Sequence, residues 1–262
     1  MTRARAQARS LSALLEVQGA EVIEVPTIRI APLHDYTKVD QAIARLAEYQ
    51  WIAFTSQNAV IAFLDRLTAR GRSAALLGGL RVAAIGPATA GALEACGIRP
   101  QLAPQRFVAE ALVEAFAGQP REALRGARVL LPRARDARTT LPEGLRALGA
   151  AVDVVPVYRV EADRQQDPLT IQRLLRETID AVTFTSPSTV RNFLELLGQD
   201  VARALGRSLV ACIGPVTAAA ARECGVAVGL VAETYTIPGL VEALLGRLGP
   251  RGLHRRSIGA ET

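Results

Sequence analysis

The sequence predicts an α/β protein made of two similar domains, an internal duplication in which each copy carries a doubly wound parallel sheet. The stretch FTSQNAVIAFL at residues 54–64 returns as FTSPSTVRNFL at residues 184–194, which is 130 residues later. In both copies a short apolar run leads into a segment with helical spacing, shown by Val60, Phe63, Leu64 and Leu67. The apolar runs are continuous, as in strands of a parallel sheet that helices cover on both faces.

The repeat extends over most of the chain and supplies the strands in order. Residues 3–30 align with residues 133–160 at the same offset, and residues 82–98 align with residues 210–226 at an offset of 128. The predicted strands of the first copy are VIEVPTIRI (22–30), WIAFTS (51–56), RVAAIG (81–86) and PQLAP (100–104). Those of the second copy are VDVVPVYRV (152–160), DAVTFTS (180–186), LVACIG (209–214) and VGLVAE (228–233).

One strand has no visible counterpart. The run ARVLLPR at residues 127–133 is typical of a buried strand leading into the second copy, and its equivalent would precede Arg3, where only two residues stand. A doubly wound sheet usually places its first strand in the interior. We therefore expect the natural protein to begin upstream and this chain to lack that strand.

Composition excludes several functional classes. The 262 residues carry a net charge of +6 and few aromatic residues, and no basic run interleaves with aromatics as a nucleic-acid surface would require. The charge fits either a solvated arginine-rich surface or an anionic small-molecule ligand. His34 and His254 are far apart, so no metal site is expected. Without a signal peptide or a membrane-spanning run, we expect a soluble cytoplasmic protein that contacts no membrane.

The cysteines are sparse. None of the three pairs with another at the close spacing of a metal knuckle or a redox motif. Cys96 and Cys224 correspond in the two copies, and each directly precedes a glycine that ends a helix. We predict that both are buried packing thiols rather than nucleophiles.

Four turns from strand to helix offer binding chemistry: FTSQN, IGPAT, FTSPS and IGPVT. Helix starts expose backbone N–H groups and a positive dipole end, and they follow the carboxyl ends of parallel strands, where α/β proteins bind ligands. Each hydroxyl of Ser56, Thr89, Ser186 and Thr217 could be a simple helix cap. Together they could face one cleft and bind a ligand with several carboxylates. Dinucleotide, phosphate-loop and nucleophile-elbow motifs do not occur, so if the protein is an enzyme, its catalysis would depend on positioning and hydrogen bonding more than on strong acid–base groups.

These motifs, in this order, resemble the uroporphyrinogen-III synthase family. The resemblance rests on the T-S turns (Thr55-Ser56, Thr185-Ser186), the I-G-x-x-T-A turns (85–90, 213–218) and the V-P strand ends (25–30, 155–160), and it spans about residues 2–248. It implies a cofactor-free lyase that cyclises hydroxymethylbilane to uroporphyrinogen III, with loss of water and inversion of the last pyrrole through a spiro intermediate.

The resemblance also assigns residues. It makes Tyr158 the catalytic residue, a neutral phenol that donates a hydrogen bond to the departing hydroxyl. A packed aromatic side chain with a solvated tip is the alternative interpretation of Tyr158. The positions implied to bind substrate are Thr55, Ser56, Asn58, Thr89, Ser186, Thr217, Arg3, Arg133 and Arg138.

The family further implies a monomer with one discontinuous domain. Residues 1–30 and 165–248 would form that domain, residues 37–157 the continuous one, and residues 31–36 and 158–164 two crossing linkers between them. Residues 249–262 would be a basic tail. Two rival functions remain open: a non-catalytic two-domain binder of an anionic metabolite, and a regulatory derivative that keeps the fold without the activity.

Overall fold

The computed structural model describes residue 2 and residues 5–120, 123–206 and 208–252. The chain divides into two compact units, of which unit 1 comprises Met1–Arg29 and Glu161–Thr262, and unit 2 comprises Ile30–Val160. Each unit is an α/β structure with parallel strands, which confirms the predicted α/β class. No helix in the described ranges is both long enough and apolar enough to cross a membrane.

Unit 2 is built on a sheet with the strand order β1-β5-β4-β2-β3. The neighbours β5 and β4, β4 and β2, and β2 and β3 are parallel. The strands of this sheet are β1 (Ile28–Ala31), β2 (Trp51–Phe54), β3 (Arg81–Ala84), β4 (Arg128–Ala134) and β5 (Ala151–Ala162). The first two residues of β1 and the last two of β5 belong to unit 1. The helices are α2 (Thr37–Ala44), α3 (Gln57–Ala69), α4 (Pro87–Glu94), α5 (Ala109–Ala117) and α6 (Thr140–Ala147).

Both faces of this sheet are buried, which explains the continuous apolar strands. Successive residues of β2 alternate between two cores: Ile52 and Phe54 pack with Phe63 on one face, and Trp51 packs with Phe116 on the other. The ring pairs are edge-on, with centroids 6.0 Å apart for Phe54–Phe63 and 5.0 Å apart for Trp51–Phe116. The central strands are therefore rigidly held, and their carboxyl ends are fixed in space.

Unit 1 has a parallel sheet with the order β6-β7-β8. Leu11 and Leu15 at the start of the chain pack with Leu240 and Leu244 near its end, so the two segments share one core. The strands are β6 (Ala181–Phe184), β7 (Leu209–Cys212) and β8 (Leu230–Val231). The helices are α1 (Arg5–Val17), α7 (Pro168–Arg176), α8 (Pro187–Leu197), α9 (Val201–Leu205), α10 (Pro215–Glu223) and α11 (Ile237–Gly252).

Two of the strands predicted for the first copy form only in small part. The strand predicted for residues 22–30 begins only at Ile28, and PQLAP forms a single bridge, between Ala83 and Leu102. In unit 2 the equivalent of residues 22–25, Val152–Val155, pairs with β4. Among the described residues no strand lies beside residues 22–25, so these residues have no ladder to join.

The boundaries differ in detail from the sequence prediction. The second predicted linker, 158–164, is largely strand, since β5 continues to Ala162. The helix α11 extends to Gly252 with a break at Gly249, whose φ is 69°. Residues 250–252 of the predicted tail are therefore helical. The rest of that tail, residues 253–262, lies outside the described residues.

The prediction of buried thiols at Cys96 and Cys224 is wrong, because both side chains are exposed. Each cysteine precedes a glycine in the left-handed conformation, Gly97 with φ 75° and Gly225 with φ 77°. The chain then turns inward, and the next residues, Ile98 and Val226, enter the core instead. The position just before a helix-ending glycine is thus on the solvent side here.

Candidate functional site

A polar cluster lies where the strands of unit 2 end. Ser56 lies two residues after the end of β2 and caps α3. Its backbone is extended, and its Oγ accepts a hydrogen bond from the backbone N–H of Ala59 at 3.1 Å. The same Oγ lies 3.1 Å from the phenol oxygen of Tyr158 in β5, and the two hydroxyls share a hydrogen bond. Because β2, β4 and β5 are parallel, these groups meet at the carboxyl edge of the sheet.

An irregularity in the sheet aims the Tyr158 side chain. The register of β4 against β5 shifts between Arg133 and Ala134, which are opposite Pro156 and Tyr158 respectively. As a result Val157 and Tyr158, although consecutive, both pack into the same core. A regular strand would send consecutive side chains to opposite faces.

The phenol of Tyr158 is buried and stays protonated at neutral pH. Only 6% of the residue is exposed, and burial raises the pKa of Tyr158 above its ordinary value. Hydrogen bonds from Ser56 and Asn58 act in the opposite direction on that pKa. The positive charge of Arg133 also lowers it, by a smaller amount. The site therefore holds a neutral hydroxyl donor whose negative form is partly stabilised by its surroundings.

Arg133 is a buried cation near the end of β4. It is 6% exposed, and one guanidinium nitrogen donates a hydrogen bond to the backbone carbonyl of Arg138. Burial lowers the pKa of Arg133, yet a guanidinium remains charged in proteins. A buried positive charge at the carboxyl edge of a sheet favours an anionic ligand there.

The two I-G-P turns are each covered by an aromatic ring, a feature that the sequence reasoning missed. A side-chain carbon at Gly86 would lie 3.0 Å from the ring of Phe107, and one at Gly214 would lie 3.2 Å from the ring of Tyr235. A side-chain carbon at either position would be in unusually tight contact, so a larger residue would require the ring to shift. The signal was present: Phe107 and Tyr235 are related by the same 128-residue offset as the turns, and both are followed by an LVEA run.

Unit 1 repeats the local geometry of the first turn. Ser186 caps α8, because its Oγ accepts a hydrogen bond from the backbone N–H of Thr189. The Thr189 hydroxyl in turn accepts a hydrogen bond from the backbone N–H of Ser186, which completes a capping box. The Oγ atoms of Ser186 and Ser188 lie 3.0 Å apart. Ser188 stands at the position that Asn58 takes in unit 2.

The remaining predicted site residues range from buried threonines to an exposed arginine. Thr89 and Thr217 lie in the first turns of α4 and α10 and are only 3% and 4% exposed. Thr55 is half-buried beside Ser56, and the exposed Arg138 lies 3.8 Å from a carboxylate oxygen of Glu110. Arg3 lies outside the described residues. Substrate binding by these residues stays a prediction.

The described residues contain no group of three or more histidine, cysteine, aspartate or glutamate side chains that could hold a metal ion. The cluster at the carboxyl edge of unit 2 therefore consists of hydroxyls, an amide and a guanidinium. Such groups can bind carboxylates and donate a hydrogen bond to a leaving group.

Comparison with known proteins identifies what the chain is similar to. A family model described as uroporphyrinogen-III synthase HemD matches residues 9–242. The uroporphyrinogen-III synthase of Synechococcus elongatus is 35% identical over 93% of this chain and 92% of its own length. A putative uroporphyrinogen-III synthase of Methanothermobacter thermautotrophicus is 33% identical over 90% of this chain and 92% of its own length.

Among solved structures, a mutant uroporphyrinogen III synthase of Thermus thermophilus shares the fold. The TM-score is 0.62 at 22% identity, and the match covers 98% of this chain and 100% of that one.

Proposed function

Because this chain belongs to the uroporphyrinogen-III synthase family, we propose that it converts hydroxymethylbilane, a linear tetrapyrrole carrying eight carboxylates, to uroporphyrinogen III. In this reaction the hydroxymethyl group is lost as water, the ring closes, and the last pyrrole is inverted. It is a lyase reaction of tetrapyrrole synthesis. We place the reaction at the carboxyl edge of the unit 2 sheet because the buried, neutral phenol of Tyr158 lies there.

The first step is departure of the hydroxyl. The Tyr158 phenol donates a hydrogen bond to the leaving oxygen, and the proton moves to that oxygen as the C–O bond breaks, so that water leaves. The pyrrole nitrogen supplies the electron pair that stabilises the remaining methylene cation. The phenolate formed is favoured by hydrogen bonds from Ser56 and Asn58 and by the charge of Arg133.

The later steps regenerate the phenol. The methylene carbon bonds to the substituted carbon of the last pyrrole, which gives a spiro intermediate, and rearrangement then moves that pyrrole into the inverted orientation. When the rearranged pyrrole regains its aromaticity it loses a proton, and this proton returns to the Tyr158 oxygen. The cycle then balances: one bilane gives one macrocycle and one water.

Orientation decides which isomer forms. Without guidance the bilane closes without inversion to isomer I, so the enzyme must hold the terminal pyrrole with the substituted carbon in reach. We propose that the substrate carboxylates are held by Arg133 and Arg138 and by the helix start at Thr55, Ser56 and Asn58. The buried Arg133 and the cap geometry of Ser56 support this role in unit 2.

We further propose that the two units arose by duplication and that Ser186, Thr89 and Thr217 belong to the same set of anion-binding turns. Matching turn sequences and the matching cap geometry of Ser56 and Ser186 support this. Arg3 remains the proposed counterpart of Arg133 in the first copy. A monomer acting without cofactor completes the proposal.

Freshly generated hydroxymethylbilane provides the test. The purified chain is incubated with it, the products are oxidised, and chromatography separates isomers I and III. Isomer III as the main product is expected. A chain that only binds the bilane, or that keeps the fold without activity, would give isomer I at the spontaneous rate, and this result would reject the enzymatic function.

A further inference from the structure

Unit 2 contains a pocket that borders Tyr158. Its cavity volume is about 380 Å³. That size is within the range of small-molecule sites, with room for one substituted pyrrole but not for a whole linear tetrapyrrole. One wall is a face of α3, whose residues follow one another at helical spacing: Asn58, Ile61, Ala62, Asp65, Arg66 and Ala69.

The pocket combines a fixed apolar surface with an open one. Val157 and Tyr158 of β5 line it and are only 1% and 6% exposed, so the core behind them holds this part of the wall in place. Ile61 of α3 also lines it but is 52% exposed. A flat ring in the pocket would cover the Ile61 side chain, and removing this apolar area from water favours binding.

Two charged side chains line the pocket, and they differ in their contacts. Arg66 donates to both carboxylate oxygens of Asp40, at 2.7 Å and 2.5 Å, and its guanidinium lies 4.5 Å from the centre of the Tyr36 ring. The charge of Arg66 is therefore balanced and its position is held. Asp65 is exposed and makes no hydrogen bond or ion pair with another described residue. The pocket thus presents one negative charge that no cation contacts within the part of the chain that the structure describes.

The matching positions of unit 1 lack this combination. At the offset of 130 residues Asp65 corresponds to Glu195, whose carboxylate accepts a hydrogen bond from Arg164 at 2.6 Å. Tyr158 corresponds to Ile28, which has no hydroxyl. The uncontacted carboxylate and the phenol therefore occur together in unit 2, and both are missing from the equivalent positions of unit 1.

The proposed reaction determines which ring lies beside Tyr158. The departing hydroxyl is carried by a methylene carbon bonded directly to one terminal pyrrole, so this ring lies next to the Tyr158 hydroxyl. Asn58, which bonds to that hydroxyl, also lines the pocket. Asp65 is two helical turns further along α3, about 10 Å at a rise of about 1.5 Å per residue. With a hydrogen bond of about 3 Å at each end, this distance leaves room for one hydroxymethylpyrrole.

We propose that the pocket binds the pyrrole that carries the hydroxymethyl group, and that Asp65 is a further catalytic residue, whose carboxylate accepts a hydrogen bond from the N–H of this ring. The inference rests on the proposed function and deepens it. It assigns the ring that reacts first to the face of α3 between Asn58 and Asp65.

The carboxylate acts on charge that appears as the C–O bond breaks. The pyrrole nitrogen then gives its electron pair to form a double bond, the departing hydroxyl takes the proton of Tyr158, and water leaves. A positive charge develops on the ring N–H, and Asp65 stabilises it without taking the proton. Because the bound substrate lacks this charge, the contact lowers the barrier more than it tightens binding.

The first test is Asp65→Asn, which keeps the size and an acceptor oxygen but removes the charge. The residue is exposed on α3, so the fold should be unaffected. For isomer III formation kcat is expected to fall roughly ten- to a hundred-fold, while KM changes less than about threefold. Glu195→Gln, at the equivalent position of unit 1, is the matched control and should leave both constants unchanged. If the unaltered chain makes isomer III and Asp65→Asn keeps its kcat, the role of Asp65 is rejected and the proposed function stands.

A second test needs no turnover. A single pyrrole with acetate and propionate arms, and a methyl group in place of hydroxymethyl, is titrated into the full chain carrying ¹³C-labelled isoleucine and alanine methyl groups. The NMR signals of Ile61 and Ala62 should shift saturably, whereas that of Ile171 in unit 1 should not. Ala62→Leu, which fills part of the pocket, should weaken this binding at least tenfold.

The two tests separate the pocket from the activity. Titration without a shift at Ile61 and Ala62 would overturn the pocket as a pyrrole site, whatever the turnover assay gives. Saturable shifts that Ala62→Leu weakens would support the pocket even if the chain made no isomer III, and that result would reject the proposed activity instead.

Discussion

Removing the phenol oxygen of Tyr158 is the sharpest test of the proposed chemistry. Tyr158→Phe keeps the ring in the core that it shares with Val157 and deletes only the hydroxyl. Ser56 loses one partner but still caps α3, because its Oγ accepts from the N–H of Ala59 independently. The local structure should therefore survive, while the donor for the departing hydroxyl disappears.

The expected loss can be estimated from the contacts. A donor aimed at developing charge in a buried site contributes about 1.4–4 kcal/mol to the transition state, so kcat should fall roughly ten- to a thousand-fold. The Michaelis constant should change little, because the bond strengthens only as the C–O bond breaks. The cost in the free energy of unfolding is that of one neutral hydrogen bond, about 0.5–1.5 kcal/mol.

Tyr49→Phe is a matched control. Tyr49 is 4% exposed and lies just before β2, at the amino edge of the same sheet. Its hydroxyl donates to a carboxylate oxygen of Asp153 at 2.7 Å. Loss of a bond to a charged acceptor costs about 1.5–3 kcal/mol of stability, at least as much as the Tyr158 change. Reduced activity caused only by destabilisation would therefore appear more strongly in the control.

The assay follows the early rate of isomer III formation from fresh hydroxymethylbilane, with unfolding midpoints measured in parallel. Tyr158→Phe should be slow and folded, and Tyr49→Phe should be less stable and active. If Tyr158→Phe retains kcat within about threefold, less than about 1 kcal/mol is lost and the phenol is not the donor. Tyr158 would then be a packed aromatic residue only.

Three further outcomes follow from the fold and are measurable on purified protein. Gly86→Ala should lower the free energy of unfolding by about 1–3 kcal/mol, since its methyl group would meet the Phe107 ring. Gly91→Ala, inside the helix α4 that Gly86 precedes, meets nothing within 4 Å and should raise the free energy of unfolding by about 0.5–1 kcal/mol. Equal effects of the two changes in chemical denaturation would contradict the packing argument. Iodoacetamide at a pH of about 8 should label the two exposed cysteines and leave Cys212 unmodified by mass spectrometry, because burial raises the pKa of the Cys212 thiol to about 11; fast labelling of folded protein at Cys212 would be inconsistent with that environment. Thr217→Ala should reduce kcat/KM less than Tyr158→Phe does, because the backbone amides of the turn remain. A larger loss would indicate that Thr217, rather than Tyr158, makes the main contribution to catalysis.

Periodicity and internal repetition were sufficient to predict the α/β class and most of the strands. Runs such as WIAFTS and DAVTFTS are continuous because both faces of each strand are covered, and β2 and β6 lie where these runs predict. The family resemblance, which depended on the order of short motifs, is confirmed by the match over residues 9–242.

Other features depend on contacts that a sequence does not display. The register shift at Arg133 and Ala134 turns Tyr158 into the core, and a pattern of alternating residues cannot indicate which pair will slip. Residues 22–25 have good strand propensity but form no strand, because strand formation requires a neighbour. The exposed position of Cys96 depends on the turn direction at Gly97, not on the apolar character of a thiol.

The split of unit 1 into two chain segments has a consequence for synthesis on the ribosome. Leu11 and Leu15 of α1 pack against Leu240 and Leu244, which lie more than 200 residues further along the chain. At about 5–20 residues per second, roughly 10–45 s separate the emergence of the two sets. Unit 2 is contiguous and can fold in that interval, whereas Leu11 and Leu15 of α1 stay without their packing partners. Until α11 is synthesised, the apolar residues of α1 thus remain available for aggregation or chaperone binding.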